Sequence, residues 1–362
     1  MINVTKPFLP PFEAYQHYLM SIWERNWLTN NGPLVNELEM QLKEYLGLEH
    51  LLFTGDGTIA LQLAIRALGL KGEVITTPFS YVATTSSLVW EYCQPVFADI
   101  NPCTFNIDPS SIEERVTDRT VAILATHVYG NPCDIKAIEN LANKYELKII
   151  YDGAHAFGTK YLGKSVFAYG DISTCSFHAT KLFHTTEGGM VATGNPFLLK
   201  QMALQRNFGH SGPESFDDVG INGKNSELHA AMGLCNIGYV DSILSDRKRL
   251  FDIYKDKLST LEVQWIKLET DTDWNHAYLP IVFKTEAQLL ESVKILNGHW
   301  IYPRRYFYPS LSSLPYVQPA LPTPVADDIS SRVLCLPLYH GLKEEEINLI
   351  ARLLLRVQNN PA

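Results

Sequence analysis

Val121-Ala122-Ile123-Leu124-Ala125-Thr126, the segment from Ile135 to Tyr145, and Lys148-Ile149-Ile150-Tyr151-Asp152 follow one another with only short turns between them. The outer two are brief apolar runs, while the middle one repeats its apolar residues every three or four positions. Strand, helix of about ten residues, strand is the unit of a parallel sheet, since parallel neighbours need a crossover that carries the chain back. The alternation extends outward. Upstream, Val35 to Leu46 is helical, His50 to Phe53 a strand, Thr58 to Leu68 helical, Glu73 to Thr76 a strand, Ala83 to Tyr92 helical and Pro95 to Ala98 a strand. Downstream, Ile172 to Phe177 and Gly189 to Thr193 are two more strands separated by a turn region. An α/β fold follows, its sheet mostly parallel and covered by helices.

Beyond about residue 225 the texture changes. Glu227 to Leu258 reads as one or two long helices, His276 to Phe283 as strand, Ala287 to Leu296 as helix, Arg332 to Leu338 as strand and Lys343 to Val357 as a final helix. These predict a small α+β domain, with the Pro/Ser-rich Pro309 to Pro324 as a loop or arm. The expected division is a large domain over 1–245, N-terminal arm included, and a small one over 246–362.

At 362 residues, about two domains are expected. With 46% hydrophobic and 19% charged residues the chain has ample material for a core, and intrinsic disorder is excluded. The net charge of -9 and the lack of a Lys/Arg run argue against nucleic acid and anionic membranes, while leaving room for a local basic pocket. No apolar run approaches a membrane span, and the opening Met1 to Tyr15 lacks the pattern of a secretory signal. The six cysteines are scattered singly, as expected of reduced thiols in a cytoplasmic protein. Cys175 and His178 have a ligand-like spacing but no second pair, so no metal site is expected.

Parallel sheets place their sites at the carboxyl ends of strands. Asp152 ends one strand and is followed by Gly153-Ala154-His155-Ala156; Lys181 follows another, in the setting Ser176-Phe177-His178-Ala179-Thr180-Lys181. Gly55-Asp56-Gly57-Thr58 joins a strand to a helix, where free backbone N–H groups suit a phosphate. Position alone would equally make Lys181 a solvated surface residue, and the glycine turn would equally serve a nucleotide. A dinucleotide site, however, needs a third glycine that Gly55-Asp56-Gly57-Thr58-Ile59-Ala60 lacks. An amine, a carboxylate and a phosphate cradle are together the three anchors of pyridoxal phosphate: Schiff base, partner for the ring nitrogen, and phosphate site.

The chain resembles the DegT/StrS nucleotide-sugar aminotransferases, pyridoxal phosphate enzymes of fold type I (aspartate aminotransferase-like). The likeness is carried by the segments above together with Thr77-Pro78-Phe79-Ser80-Tyr81-Val82-Ala83-Thr84, Glu187-Gly188-Gly189 and Gly220-Ile221-Asn222-Gly223-Lys224-Asn225-Ser226-Glu227. It implies that Lys181 forms the Schiff base and then shuttles the proton, that Asp152 pairs with the ring nitrogen, and that Tyr81 stacks on the ring. It further implies phosphate contacts from Gly57, Thr58 and Ser176, and Asn222 and Lys224 reaching into a neighbouring subunit's site, hence a homodimer. His155 lies either near the cofactor or in a purely structural role. Gly153 and Asp56 depart from the family's usual Ala and Ser, as does Leu182-Phe183-His184-Thr185-Thr186. The sugar dehydratases of the family carry histidine in place of the lysine, so Lys181 argues against that activity.

The same resemblance implies glutamate as amino donor and a dTDP-4-keto-6-deoxyhexose as acceptor, aminated at sugar carbon 4 for a surface glycan such as O-antigen. Arg304, Arg305 and Tyr306, within Tyr302-Pro303-Arg304-Arg305-Tyr306-Phe307-Tyr308-Pro309, suit a diphosphate and a stacked base; a solvated turn with core aromatics is the other reading. Amination at carbon 3 of a 3-keto sugar is the close alternative. A non-catalytic sugar-binding sensor on the same fold is the alternative of another class, and the combination of Lys181 with Asp152 argues against it.

Overall fold

The computed structural model describes residues 1–318 and 321–359. Its centre is a seven-stranded sheet formed by β1 (His50–Thr54), β2 (Glu73–Thr76), β3 (Gln94–Phe97), β4 (Thr120–Thr126), β5 (Lys148–Asp152), β6 (Ile172–Ser176) and β7 (Gly189–Thr193). They lie in the order β1-β7-β6-β5-β4-β2-β3, and β7 alone runs antiparallel to its neighbours. The strand pairs agree with the alternation in the sequence, which is why all seven fall within two residues of their expected positions.

The sheet is buried on both faces, as parallel sheets are. Ile123 and Ala125 of β4 point to the side covered by Leu38, Leu42 and Phe177; Ala122 and Leu124 point to the side covered by Ala60, Ala64 and Leu88. The period of two along one strand thus divides two separate hydrophobic layers.

Glu227 to Leu258 forms two helices, Glu227–Ile237 and Val240–Lys257, broken at Gly238. The second of these crosses between cores: Val240 packs with the sheet, whereas Leu250, Phe251, Tyr254 and Leu258 belong to the C-terminal cluster. That cluster is built on a three-stranded antiparallel sheet of Val263–Trp265, Leu279–Phe283 and Val333–Leu336, with helices Glu286–Gly298 and Glu344–Asn359 against it.

Three elements differ from the sequence reading. The strand expected from His276 begins only at Leu279, because Arg247 takes the carbonyls of His276 and Ala277 that a partner strand would need. The region before the strand Val333–Leu336 is the helix Pro324–Arg332, which opens on the proline that marked the end of the expected loop; residues 319–320 of that loop, and 360–362 of the small domain, lie outside the described residues. The N-terminal arm contains a 14-residue helix, Phe12–Arg25. Ahead of it, Ile2–Asn3 pairs with Ile301–Tyr302, and the Phe8 carbonyl bonds His184 Nε2 at 2.6 Å. The departure Leu182 to Thr186 therefore has a structural task, since Phe183 stacks on Phe157 at 4.5 Å while His184 holds the arm.

Glu227 joins two layers. Its wholly buried carboxylate accepts from the backbone N–H groups of Leu34 and Val35 (3.1 and 3.0 Å), capping helix Pro33–Leu46, with Arg25 at 3.6 Å. A Cβ on Gly32 would fall 2.4 Å from its Cδ, so this approach requires glycine. Glu227→Ala leaves both helix donors unpaired and is expected to cost roughly 2–4 kcal/mol. Denaturant unfolding measures it, and an unchanged midpoint would contradict the capping role.

Candidate active site

A cleft of about 360 Å³ opens at the carboxyl ends of β4, β5 and β6, and Asp152, Lys181, Gly57, Thr58, Ser176 and Tyr81 all line it. Strand order explains the convergence. Lys181 follows the end of β6 and Asp152 ends β5, its neighbour in the sheet.

Asp152 is 5% exposed. Burial pushes its carboxyl above the usual range, opposed by hydrogen bonds from Thr84 and the Ala154 N–H and by the Lys181 charge. Thr84 Oγ1 donates to Oδ2 at 2.7 Å and the Ala154 N–H to Oδ1 at 3.0 Å. Lys181 is shifted down, because burial disfavours its ammonium more than the neighbouring Tyr306 and Asp152 restore it.

The phosphate end is equally specific in form. Asp56 caps helix Gly57–Ala67, accepting the Ile59 N–H at 2.8 Å. The Gly57 and Thr58 N–H groups, with the Ser176 hydroxyl nearby, remain at the helix N-terminus where an anion is favoured. A Cβ on Gly57 would come within 2.8 Å of Ser176 Cβ, so this narrow cradle depends on glycine.

His155 lines the cleft and is held neutral, burial and the Lys181 charge both lowering it far below the usual range. Its ring stacks on Phe307 at 5.4 Å, and its buried Nδ1 has no hydrogen-bond partner. Tyr81, 55% exposed, lines the cleft.

Arg304 also lines the cleft, its guanidinium 4.7 Å from the Tyr306 ring, and Tyr306 lines it too. Arg305 is not among the lining residues: its Nη2 is bound to Glu286 and to the Ser331 carbonyl, both at 2.7 Å, and its head lies over Tyr308. Nor do Asn222 and Lys224 line the cleft. Lys224 Nζ donates to Asn222 Oδ1 at 2.8 Å and lies 4.8 Å from the Phe208 ring. Their loop is fastened to the end of β1 by the Gly55 N–H to the Gly223 carbonyl at 2.9 Å.

The sequence reading missed Tyr278 and Phe307, which wall the cleft from the C-terminal part, and Ser80, Thr84 and Thr126 beside Asp152. Thr126 was findable, since it ends a strand in register with Asp152. Gly153, where the family usually has Ala, leaves its space to Phe167, whose ring would stand 2.4 Å from an added Cβ. Among the described residues no group of three or more His, Cys, Asp and Glu side chains could hold a metal ion, and no helix is long and apolar enough to cross a membrane.

A carboxylate, an amine, an unpartnered imidazole nitrogen and a glycine-built anion cradle in one cleft fit pyridoxal phosphate, on the sheet of a fold-type-I transferase. The comparisons agree. The DegT/DnrJ/EryC1/StrS aminotransferase family matches residues 13–354. The dTDP-4-amino-4,6-dideoxy-D-glucose transaminase of Shigella dysenteriae is 41% identical over 96% of this chain and 97% of its own, and that of Escherichia coli 36% identical over 98% of each. The crystal structure of DesI in the presence of its TDP-sugar product superposes with a TM-score of 0.93 at 31% identity, covering 98% of this chain and 92% of that one. The protein belongs to the DegT/DnrJ/EryC1/StrS aminotransferase family.

Filling the cradle tests the phosphate site. Gly57→Ala is expected to weaken pyridoxal phosphate binding by about 1–3 kcal/mol, roughly fivefold to a hundredfold. Titration of the cofactor into cofactor-free protein reads this directly, and unaltered affinity would place the phosphate elsewhere.

Proposed function

We propose that the protein transfers an amino group from L-glutamate to carbon 4 of a dTDP-4-keto-6-deoxyhexose, giving dTDP-4-amino-4,6-dideoxyglucose (dTDP-viosamine) for a surface polysaccharide such as O-antigen. The observation that carries this reading is the single cleft in which Lys181, Asp152 and the Gly57 cradle meet. The dTDP-sugar activity of relatives that match almost end to end supports the choice of substrate.

When bound, pyridoxal phosphate supplies an electron sink that lets the bond between hydrogen and the nitrogen-bearing carbon ionise. Asp152 would hold the ring nitrogen, and its negative charge would favour the protonated ring. Gly57, Thr58 and Ser176 would hold the phosphate, and Tyr81 would offer an aromatic face to the ring. Lys181 Nζ takes the proton from the amino donor's α carbon and delivers it within the same cleft. Its burial-lowered basicity raises the fraction of neutral amine able to do so at neutral pH. In the second half the same atom serves in reverse on the ketosugar.

Arg304 and Tyr306, at the cleft, take the diphosphate sugar in this reading, while Arg305, bound to Glu286 and the Ser331 carbonyl, has a structural role. Asn222 and Lys224 do not line their own chain's cleft, which leaves them for a neighbour's and supports a homodimer whose subunits complete each other's sites. The proposal divides the chain into a cofactor-binding part to about residue 245 and a smaller part beyond it. It also includes a cytoplasmic location, supported by six cysteines that are all free.

The test is amination of a panel of 3-keto and 4-keto dTDP-sugars with glutamate, the product assigned by NMR. New nitrogen at carbon 4 is expected, dependent on Lys181 and abolished in Lys181→Ala together with the visible absorption of the bound cofactor. Amination confined to carbon 3 would refute the reading. The two arginines are expected to separate in steady-state kinetics: Arg304→Ala raises KM for the nucleotide sugar about tenfold or more, as loss of a charge-assisted contact to phosphate implies. Arg305→Ala lowers stability with little change in KM; equal effects on KM would contradict the separation.

A further inference from the structure

Four buried oxygens lead from the sheet to Asp152. Thr126 Oγ1 lies 3.1 Å from Ser80 Oγ, Ser80 Oγ lies 2.8 Å from Thr84 Oγ1, and Thr84 Oγ1 lies 2.7 Å from Asp152 Oδ2. None of the three hydroxyl residues is more than 2% exposed. Each hydroxyl owns one proton. An ionised carboxylate can only accept, so the Thr84 proton points at Asp152. Thr84 Oγ1 then accepts from Ser80, and Ser80 accepts from Thr126. The protons of all three residues are thereby ordered in one direction, toward the carboxylate, and each bond polarises the next.

We infer that Thr84 is a positioning residue that keeps Asp152 ionised for the cofactor's ring nitrogen, with Ser80 and Thr126 behind it as a one-way hydroxyl relay. The parts come from three places: Thr84 from the first turn of helix Val82–Trp90, Ser80 from the loop before it, and Thr126 from the end of β4. The register that sets Thr126 beside Asp152 on adjacent parallel strands aims the chain.

The relay is needed because burial works against the carboxylate. The opposing groups are few: the Ala154 N–H on Oδ1, Thr84 on Oδ2, and the Lys181 ammonium. The other titratable neighbours add no charge of either sign, for burial keeps the Cys175 and Cys133 thiols and the His155 and His127 rings neutral. Lys181 carries no positive charge while its amine is neutral and ready to act as a base. At that moment Thr84 and the Ala154 N–H are the donors that still hold the carboxylate charge.

The inference rests on the reading of Asp152 as the partner of the ring nitrogen, and its test uses a pair of ligands: pyridoxal 5'-phosphate and its 1-deaza analogue, in which carbon replaces that nitrogen. Affinity of the full-length, cofactor-free chain is measured for both. Thr84→Val removes the donor at nearly constant volume and is expected to weaken pyridoxal phosphate about tenfold more than the analogue, the scale of a hydrogen bond to a charge. Thr84→Ser, which keeps the hydroxyl, is expected to restore the wild-type ratio. Ser80→Ala, one link farther out, should shift the ratio in the same direction by less, and provides the measurement if Thr84→Val does not fold. Equal loss for both ligands, or no loss for either, overturns the relay and leaves Thr84 a packing residue. Asp152→Asn distinguishes the two levels: if it fails to weaken pyridoxal phosphate relative to the analogue, the assignment of Asp152 itself falls, and the relay with it.

Discussion

A carboxylate that burial pushes toward its neutral form, Asp152, is the constraint around which the cleft is arranged. Asp152 sits at the end of β5 with strands on both sides, a position set by the sheet. Burial there favours the neutral acid, which would leave the ring nitrogen without an anionic partner. The structure answers with donors rather than with a permanent counter-ion: a hydroxyl on one oxygen, a backbone N–H on the other, and a lysine whose own charge burial disfavours. A fixed arginine beside Asp152 would hold the carboxylate more firmly but would compete with the ring for it.

The overall charge of -9 says little about such a site. An anionic cofactor and a diphosphate sugar both need positive potential, and the chain provides it locally. The helix N-terminus at Gly57 contributes partial charge without any side chain, and Arg304 a full charge at the cleft. The capping role of Asp56 is compatible with an anion because its carboxylate is committed to Ile59, leaving the Gly57 and Thr58 N–H groups facing outward.

Much of the fold could be read from the chain because its strands are short, apolar and separated by helices whose period is plain, as in Ile135–Tyr145, found at its expected limits. The elements that were missed owe their form to distant contacts. Strand character at His276 and Ala277 is cancelled by Arg247, some thirty residues away, and the Pro324–Arg332 helix follows a proline that equally marks the end of a loop. In the site, Lys181, Asp152 and Gly57 were legible because each stands at, or within a few residues after, the carboxyl end of a strand. Thr84, Ser80 and Thr126 are ordinary hydroxyl residues in sequence; only the sheet register and the helix after β2 bring them into line. The neighbouring arginines show the same limit: Arg304 and Arg305 are equivalent as a motif, yet alternation of the backbone sends one to the cleft and the other to Glu286.

The central claim is that Asp152 keeps the cofactor's ring nitrogen protonated, and it is tested most directly by 15N NMR of the protein loaded with pyridoxal phosphate labelled at that nitrogen. The account predicts the shift of a protonated ring nitrogen in the wild-type protein at neutral pH, and of an unprotonated one in Asp152→Ala. An unprotonated ring nitrogen in the wild type, with Asp152 in place, would contradict it.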